Sequence, residues 1–119
     1  MTEEDLQALV AEWQARLKLA HWAIRSEFVG TSGLRMEANN LAEVEILWSK
    51  LRAIIRVLRP ESVDPAEIGY SDTEEAVVHE LLHLVLRGFQ PEQDTAEYIA
   101  MEQAIEALAV CLVGLKRGR

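Results

Sequence analysis

A chain of 119 residues, half of them hydrophobic and 27% charged, has the balance of one soluble globular domain over 1–119, with no room for a catalytic unit plus a separate specificity domain. Its formal net charge of −8 argues against nucleic acid or an anionic membrane surface as the main partner. The one cysteine, Cys111, excludes a disulfide framework and a thiolate metal site; set among apolar residues, it is expected to be a buried structural thiol.

Thr2 is placed to cap a first helix whose Glu3, Glu4 and Asp5 suit a positive N-terminal end, and Leu6, Leu9, Val10, Trp13 and Leu17 give it one apolar face. This start lacks the basic residues and apolar run of a secretory signal, so a cytoplasmic location is expected. His21 to Phe28 alternates as a half-buried strand, with Trp22, Ile24 and Phe28 inward and His21, Arg25 and Glu27 outward. Residues 34–40 read as a loop or an irregular fourth strand. Ala42–Trp48 and Arg52–Leu58 alternate again around Ser49-Lys50, which predicts a β-hairpin closed by Pro60. Trp22 and Trp48 are assigned to the core, and Arg52, Arg56 and Arg59 to a local basic surface. Residues 61–71 form a connection with a helical turn near Pro65 to Ile68.

Asp72 and Glu75 have the spacing of a capping pair, with Ser71 and Thr73 as other caps, for a helix that Gly88 would stop. A last helix runs from Thr95 to about Lys116, burying Met101, Ile105, Leu108, Ala109, Leu112 and Leu115. The expected fold class is α+β: a small mixed sheet of three strands, four if 34–40 joins it. Around it stand an N-terminal helix, a buried motif helix and a long C-terminal helix.

The motif helix carries His79-Glu80-Leu81-Leu82-His83. Side chains four apart on a helix lie one above the other, so His79 and His83 can offer two imidazole nitrogens to one ion, and Glu80 reaches the same opening from the side. His79, Glu80, His83 and Arg87 share one narrow polar sector on an otherwise apolar helix. Ionisable residues on such a helix are costly unless paired or bound to a metal, which points to one Zn²⁺ ion. A hydrolytic zinc site takes three protein ligands and leaves a position open. No histidine follows His83, and His21 faces outward on its strand, so the third ligand is expected to be a carboxylate of the last helix. Helical projection leaves Glu97, Glu102 and Glu106 open.

The His-Glu-x-x-His helix, a short connection and a second helix with Glu some twenty residues on resemble the gluzincin metallopeptidases. More narrowly, the order of elements resembles the minimal gluzincin-like domains common among phages and prokaryotes. The runs Val78–Leu84 and Glu102–Ala109 carry the likeness. It implies His79, His83 and Glu102 as zinc ligands, Glu80 as the general base and Glu106 as a polar residue behind the ligands. It also implies peptide-bond hydrolysis, with peptide or protein as substrate, bound along the edge strand Ala42–Trp48. The competing register, Glu97-Tyr98-Ile99-Ala100-Met101, departs from the membrane-bound relatives' pattern at Met101. The rival function is a non-catalytic or latent zinc-binding module of the same fold, in which the basic tail from Lys116 folds back over the site.

Overall fold

The alternation of Arg52–Leu58 places Ala53, Ile55 and Val57 on one face of a strand, and this strand is the centre of the sheet. In a computed structural model that describes residues 1–33, 41–62 and 72–119, three strands form: β1 (Ala23–Val29), β2 (Ala42–Leu47) and β3 (Arg52–Leu58), ordered β1-β3-β2. β1 pairs with β3 in parallel, from Ala23 beside Arg52 to Val29 beside Leu58. β2 pairs antiparallel, with Glu43 beside Arg56 and Val44 beside Ile55. The hairpin turn runs through Trp48–Lys50 and ends on Leu51 at φ 51°, a left-handed backbone that lets the chain reverse in so few residues.

Helix α1 (Glu3–Arg16) starts in a capping box: Thr2 Oγ1 accepts from the Asp5 amide at 3.1 Å, and the Asp5 carboxylate accepts from the Thr2 amide at 2.8 Å. Of the three caps that the sequence offers for α2 (Thr73–Val85), Asp72 is used, accepting from the Glu75 amide. Thr95 caps α3 (Ala96–Lys116) by accepting from the Tyr98 amide. The core lies between one face of the sheet and helices α1 and α2, where Leu6, Val10, Ile55, Val57, Val77, Leu81 and Leu84 are buried. Each such side chain contributes about 1.5–3 kcal/mol by leaving water. The architecture is α+β, with the three-stranded sheet, the N-terminal helix and the long C-terminal helix that the pattern predicts.

Five expectations change. Helix α2 ends at Val85 with Leu86 as its cap, three residues before Gly88. Trp48 is 52% exposed on the hairpin turn, whereas Trp22 is buried. Arg56 is buried as well: the register sets it between Glu27 and Glu43, and its guanidinium lies 2.8 Å from Glu43 Oε2. Helix α3 rests chiefly on α2, so it buries the narrow row of Ile105, Ala109 and Val113 at four-residue steps, while Leu108 and Leu115 are exposed. Cys111 is exposed for the same reason. The expected fourth strand over 34–40, the turn at Pro65 to Ile68 and Ser71 lie outside the described residues.

Candidate metal centre

Two helices running in opposite directions build the site. One turn of α2 stacks His79 over His83, with ring centroids 5.3 Å apart, and α3 brings Glu102 against both rings. Glu102 Oε2 lies 3.2 Å from His79 Nε2, and its Oε1 lies 2.8 Å from His83 Nε2. Glu106, one turn along α3, sits 2.7 Å from His79 Nδ1. Glu97 is exposed and makes neither contact, and His21 is exposed on the turn before β1. Of the three carboxylates open in the sequence, Glu102 is the one that meets both Nε2 atoms.

Electrostatics follow from this crowding. Burial works against an imidazolium at His79, but its contact with Glu102 and the charges of Glu80 and Glu106 outweigh it and lift the pKa to about 9. The His79 and His83 imidazoles hold Glu102 down at about 2. Glu80 is 6% exposed, and burial pushes it up to about 7 against the pull of both histidines, with the charges of Glu102 and Glu43 adding to the rise. One oxygen of Glu80, Oε2, is buried with no hydrogen-bond partner among the described residues.

The donor set can be tested for metal. Ligand atoms of His79, Glu80 and His83 all lie within 4.8 Å of one another. Glu102 Oε1 is buried and makes no aligned hydrogen bond among the described residues, although His83 Nε2 stands 2.8 Å away. Two acceptors facing each other at that distance repel unless a proton or a cation stands between them. Atoms around a tetrahedral zinc ion at about 2.0–2.1 Å are about 3.3 Å apart, and Glu102 stands 3.2 and 2.8 Å from the two Nε2 atoms. With Glu106 accepting from Nδ1–H of His79, a neutral ring would keep its Nε2 lone pair facing the cluster. Two imidazoles and one carboxylate are a donor set that fits zinc.

The chain matches no protein-family profile, no curated protein and no solved structure.

Two groups around the centre escaped the linear reading. The Glu43–Arg56 pair is buried on both sides, and Glu43 adds to the negative field at Glu80. Cross-strand counting over the hairpin would have found it, since Glu43 and Arg56 are register partners. At the start of α2, Glu74 accepts from Trp13 Nε1 at 2.7 Å, from Lys116 Nζ at 2.5 Å and from Arg117 Nη2 at 3.0 Å. Nothing local in the sequence signals this meeting of three helices. It also places the basic tail: Lys116 and Arg117 pair with Glu12, Asp72 and Glu74 rather than with the histidine cluster. Arg87, the outer member of the polar sector, donates to the Leu84 carbonyl and stacks over Trp22.

Proposed function

We propose that the protein is a zinc-dependent metallopeptidase of gluzincin type, acting on peptide or protein chains in the cytoplasm. The observation that carries the reading is the meeting of His79, His83 and Glu102 across two helices, with a buried Glu102 oxygen that has no aligned partner among the described residues. His79 Nε2, His83 Nε2 and a Glu102 oxygen would hold one Zn²⁺. When bound, zinc supplies Lewis-acid polarisation of a carbonyl and acidifies water.

The chain's own groups supply the rest. Glu106 accepts from His79 Nδ1–H and so keeps Nε2 turned toward the cluster. Glu80, beside both histidines and titrating near neutrality, is suited to take a proton from water and return it to the leaving amine. Its surroundings exclude solvent, which favours the neutral acid once the proton is taken. Among the described residues β2 is at the edge of the sheet, and it packs on α2, so it could align an extended peptide by adding a strand beside the site.

Purified protein loaded with zinc should cleave an unfolded protein such as denatured casein, and chelation should stop the cleavage. Zinc bound by His79, His83 and Glu102 without turnover in any peptide format would select the non-catalytic module instead. Protein that binds no zinc would remove both readings.

A further inference from the structure

Two turns meet at one end of the sheet, and both hold residues that their backbone disfavours. The turn between α1 and β1 contains Lys18 at φ 61°, and the hairpin turn ends on Leu51 at φ 51°. These are two of the three non-glycine residues with a left-handed backbone among the described ones, a conformation whose ordinary occupants are glycine and asparagine. The turns are tied together, since the Ala23 amide donates to the Leu51 carbonyl at 3.0 Å and the Trp22 amide to the Leu19 carbonyl at 3.0 Å. Burial explains neither choice: Lys18 is exposed, and Leu51 is 39% exposed beside Leu47 at 54% and Trp48 at 52%. Three large hydrophobic side chains within five residues thus stand in solvent at one turn.

Cations surround them. Lys18, Arg25, Lys50 and Arg52 are all exposed. Arg52 lies in register between Leu47 of β2 and Ala23 of β1, and Arg25 follows two residues along β1 on the same face. None of the four pairs with a carboxylate among the described residues, whereas Arg16, Arg56, Arg59, Lys116 and Arg117 all do. Residues 13–26 and 46–58, which build this end, include no Asp or Glu in a chain that has 20. The next carboxylates along the strands, Glu27 and Glu45, are both held by Arg56. Glu3 meets the Phe28 amide at the other end of β1, and Asp72, Glu74 and Glu75 start α2, whose last turn reaches Trp22 through Arg87. A strand or helix of that length puts those acids about 20 Å from the turns. Glu92, Asp94 and Glu97 lie at the start of α3, which packs chiefly on α2. With a Debye length of about 8 Å at physiological salt, the local cations and not the net charge of −8 govern what approaches this end.

We propose that this end of the sheet docks on a bilayer carrying anionic phospholipids, with Leu47, Trp48 and Leu51 entering the headgroup region and Lys18, Arg25, Lys50 and Arg52 meeting lipid phosphates. Tryptophan favours the membrane interface, and lysine and arginine lay their stems along apolar surface while the charge stays among headgroups. Each Lys or Arg beside an anionic surface strengthens binding about fivefold. The leucines set a bilayer above a single-stranded nucleic acid, whose bases would stack on Trp48 but gain little from aliphatic side chains. The docking surface is independent of the zinc reading, because it uses none of the residues of the histidine cluster.

The full chain should sediment with vesicles of equal parts phosphatidylcholine and phosphatidylglycerol but not with phosphatidylcholine alone, and added salt should release it. Trp13 and Trp22 are buried, so quenching by brominated acyl chains reports on Trp48, and Trp48→Phe should abolish it. Lys50→Glu combined with Arg52→Glu should weaken binding to the mixed vesicles by more than about 25-fold. Leu51→Gly suits the left-handed backbone, so it should keep the circular dichroism spectrum and melting temperature of the parent while weakening vesicle binding about fivefold. Failure to bind the mixed vesicles, equal binding to phosphatidylcholine alone, binding without quenching of Trp48, or indifference to the paired charge reversal overturns the inference. So does tighter binding to single-stranded DNA or to polyglutamate than to the mixed vesicles, which would give the surface to a soluble polyanion.

Discussion

Glu106 Oε2 stands 2.7 Å from His79 Nδ1, while Glu102 Oε2 stands 3.2 Å from Nε2 of the same ring, so one imidazole is held between two carboxylates of one helix. The two glutamates are one turn of α3 apart and have different tasks. If zinc occupies the cluster as proposed, Glu106 would orient the ring and Glu102 would join its inner nitrogen in holding the ion.

This division predicts graded losses of zinc. Glu102→Ala should abolish tight binding, since it removes one of three donors. Glu106→Ala should lower affinity by about 10–100-fold, the usual cost of losing the partner behind a ligating histidine. Glu97→Ala should leave zinc affinity unchanged. Competition titration against a chromogenic chelator measures all three, and equal losses from Glu97→Ala and Glu102→Ala would refute the assignment.

Proton release should accompany zinc binding. In the metal-free protein His79 keeps its proton up to about pH 9, above its ordinary value of 6.5. Zinc needs the neutral ring, so binding at pH 7.5 should expel about one proton from this residue. Calorimetry in two buffers of different ionisation enthalpy counts it, and identical apparent enthalpies in both buffers would contradict the arrangement. The same shift sets a stability trend: with the folded pKa raised, His79 stabilises the metal-free fold fully below pH 6.5 and ceases to do so as pH rises through about 9.

Glu80→Gln separates catalysis from folding. Zinc content should be retained while peptide cleavage falls by about 10²–10⁴-fold, the usual contribution of a positioned base. Because the folded pKa of Glu80 is raised from 4.5 to about 7, its ionisation costs stability as pH climbs through that interval. The metal-free variant should therefore be more stable than the parent at pH 8, by on the order of 3 kcal/mol, and no different at pH 4. Denaturant melts at the two pH values provide the check, with a loss of stability at pH 8 as the opposing result.

Glu74 tests the frame that holds the two helices together. Glu74→Ala leaves the Trp13 indole N–H buried without its acceptor and frees Lys116 and Arg117, and should cost about 1–3 kcal/mol. A melting temperature within one degree of the parent would show that the three donors find other partners.

The sequence by itself determined the parts that depend on neighbours along the chain. Alternation in Ala42–Leu47 and Arg52–Leu58 specifies the hairpin, and a step of four on an α-helix is enough to stack His79 over His83, because both periodicities arise within one element. The three caps at Thr2, Asp72 and Thr95 are local in the same sense. Only the tertiary structure decided which carboxylate meets both histidines. Glu97, Glu102 and Glu106 fall five and four residues apart on one helix, and the choice depends on how far α3 slides along α2. That offset depends on contacts between the helices, among them the buried Ile105, Ala109 and Val113 and the pairing of Lys116 and Arg117 with Glu74, which no periodicity within α3 contains. The exposure of Trp48 and Cys111 and the burial of Arg56 belong to the same class, since hydropathy states what a side chain prefers, and packing decides which surfaces are left for it to meet.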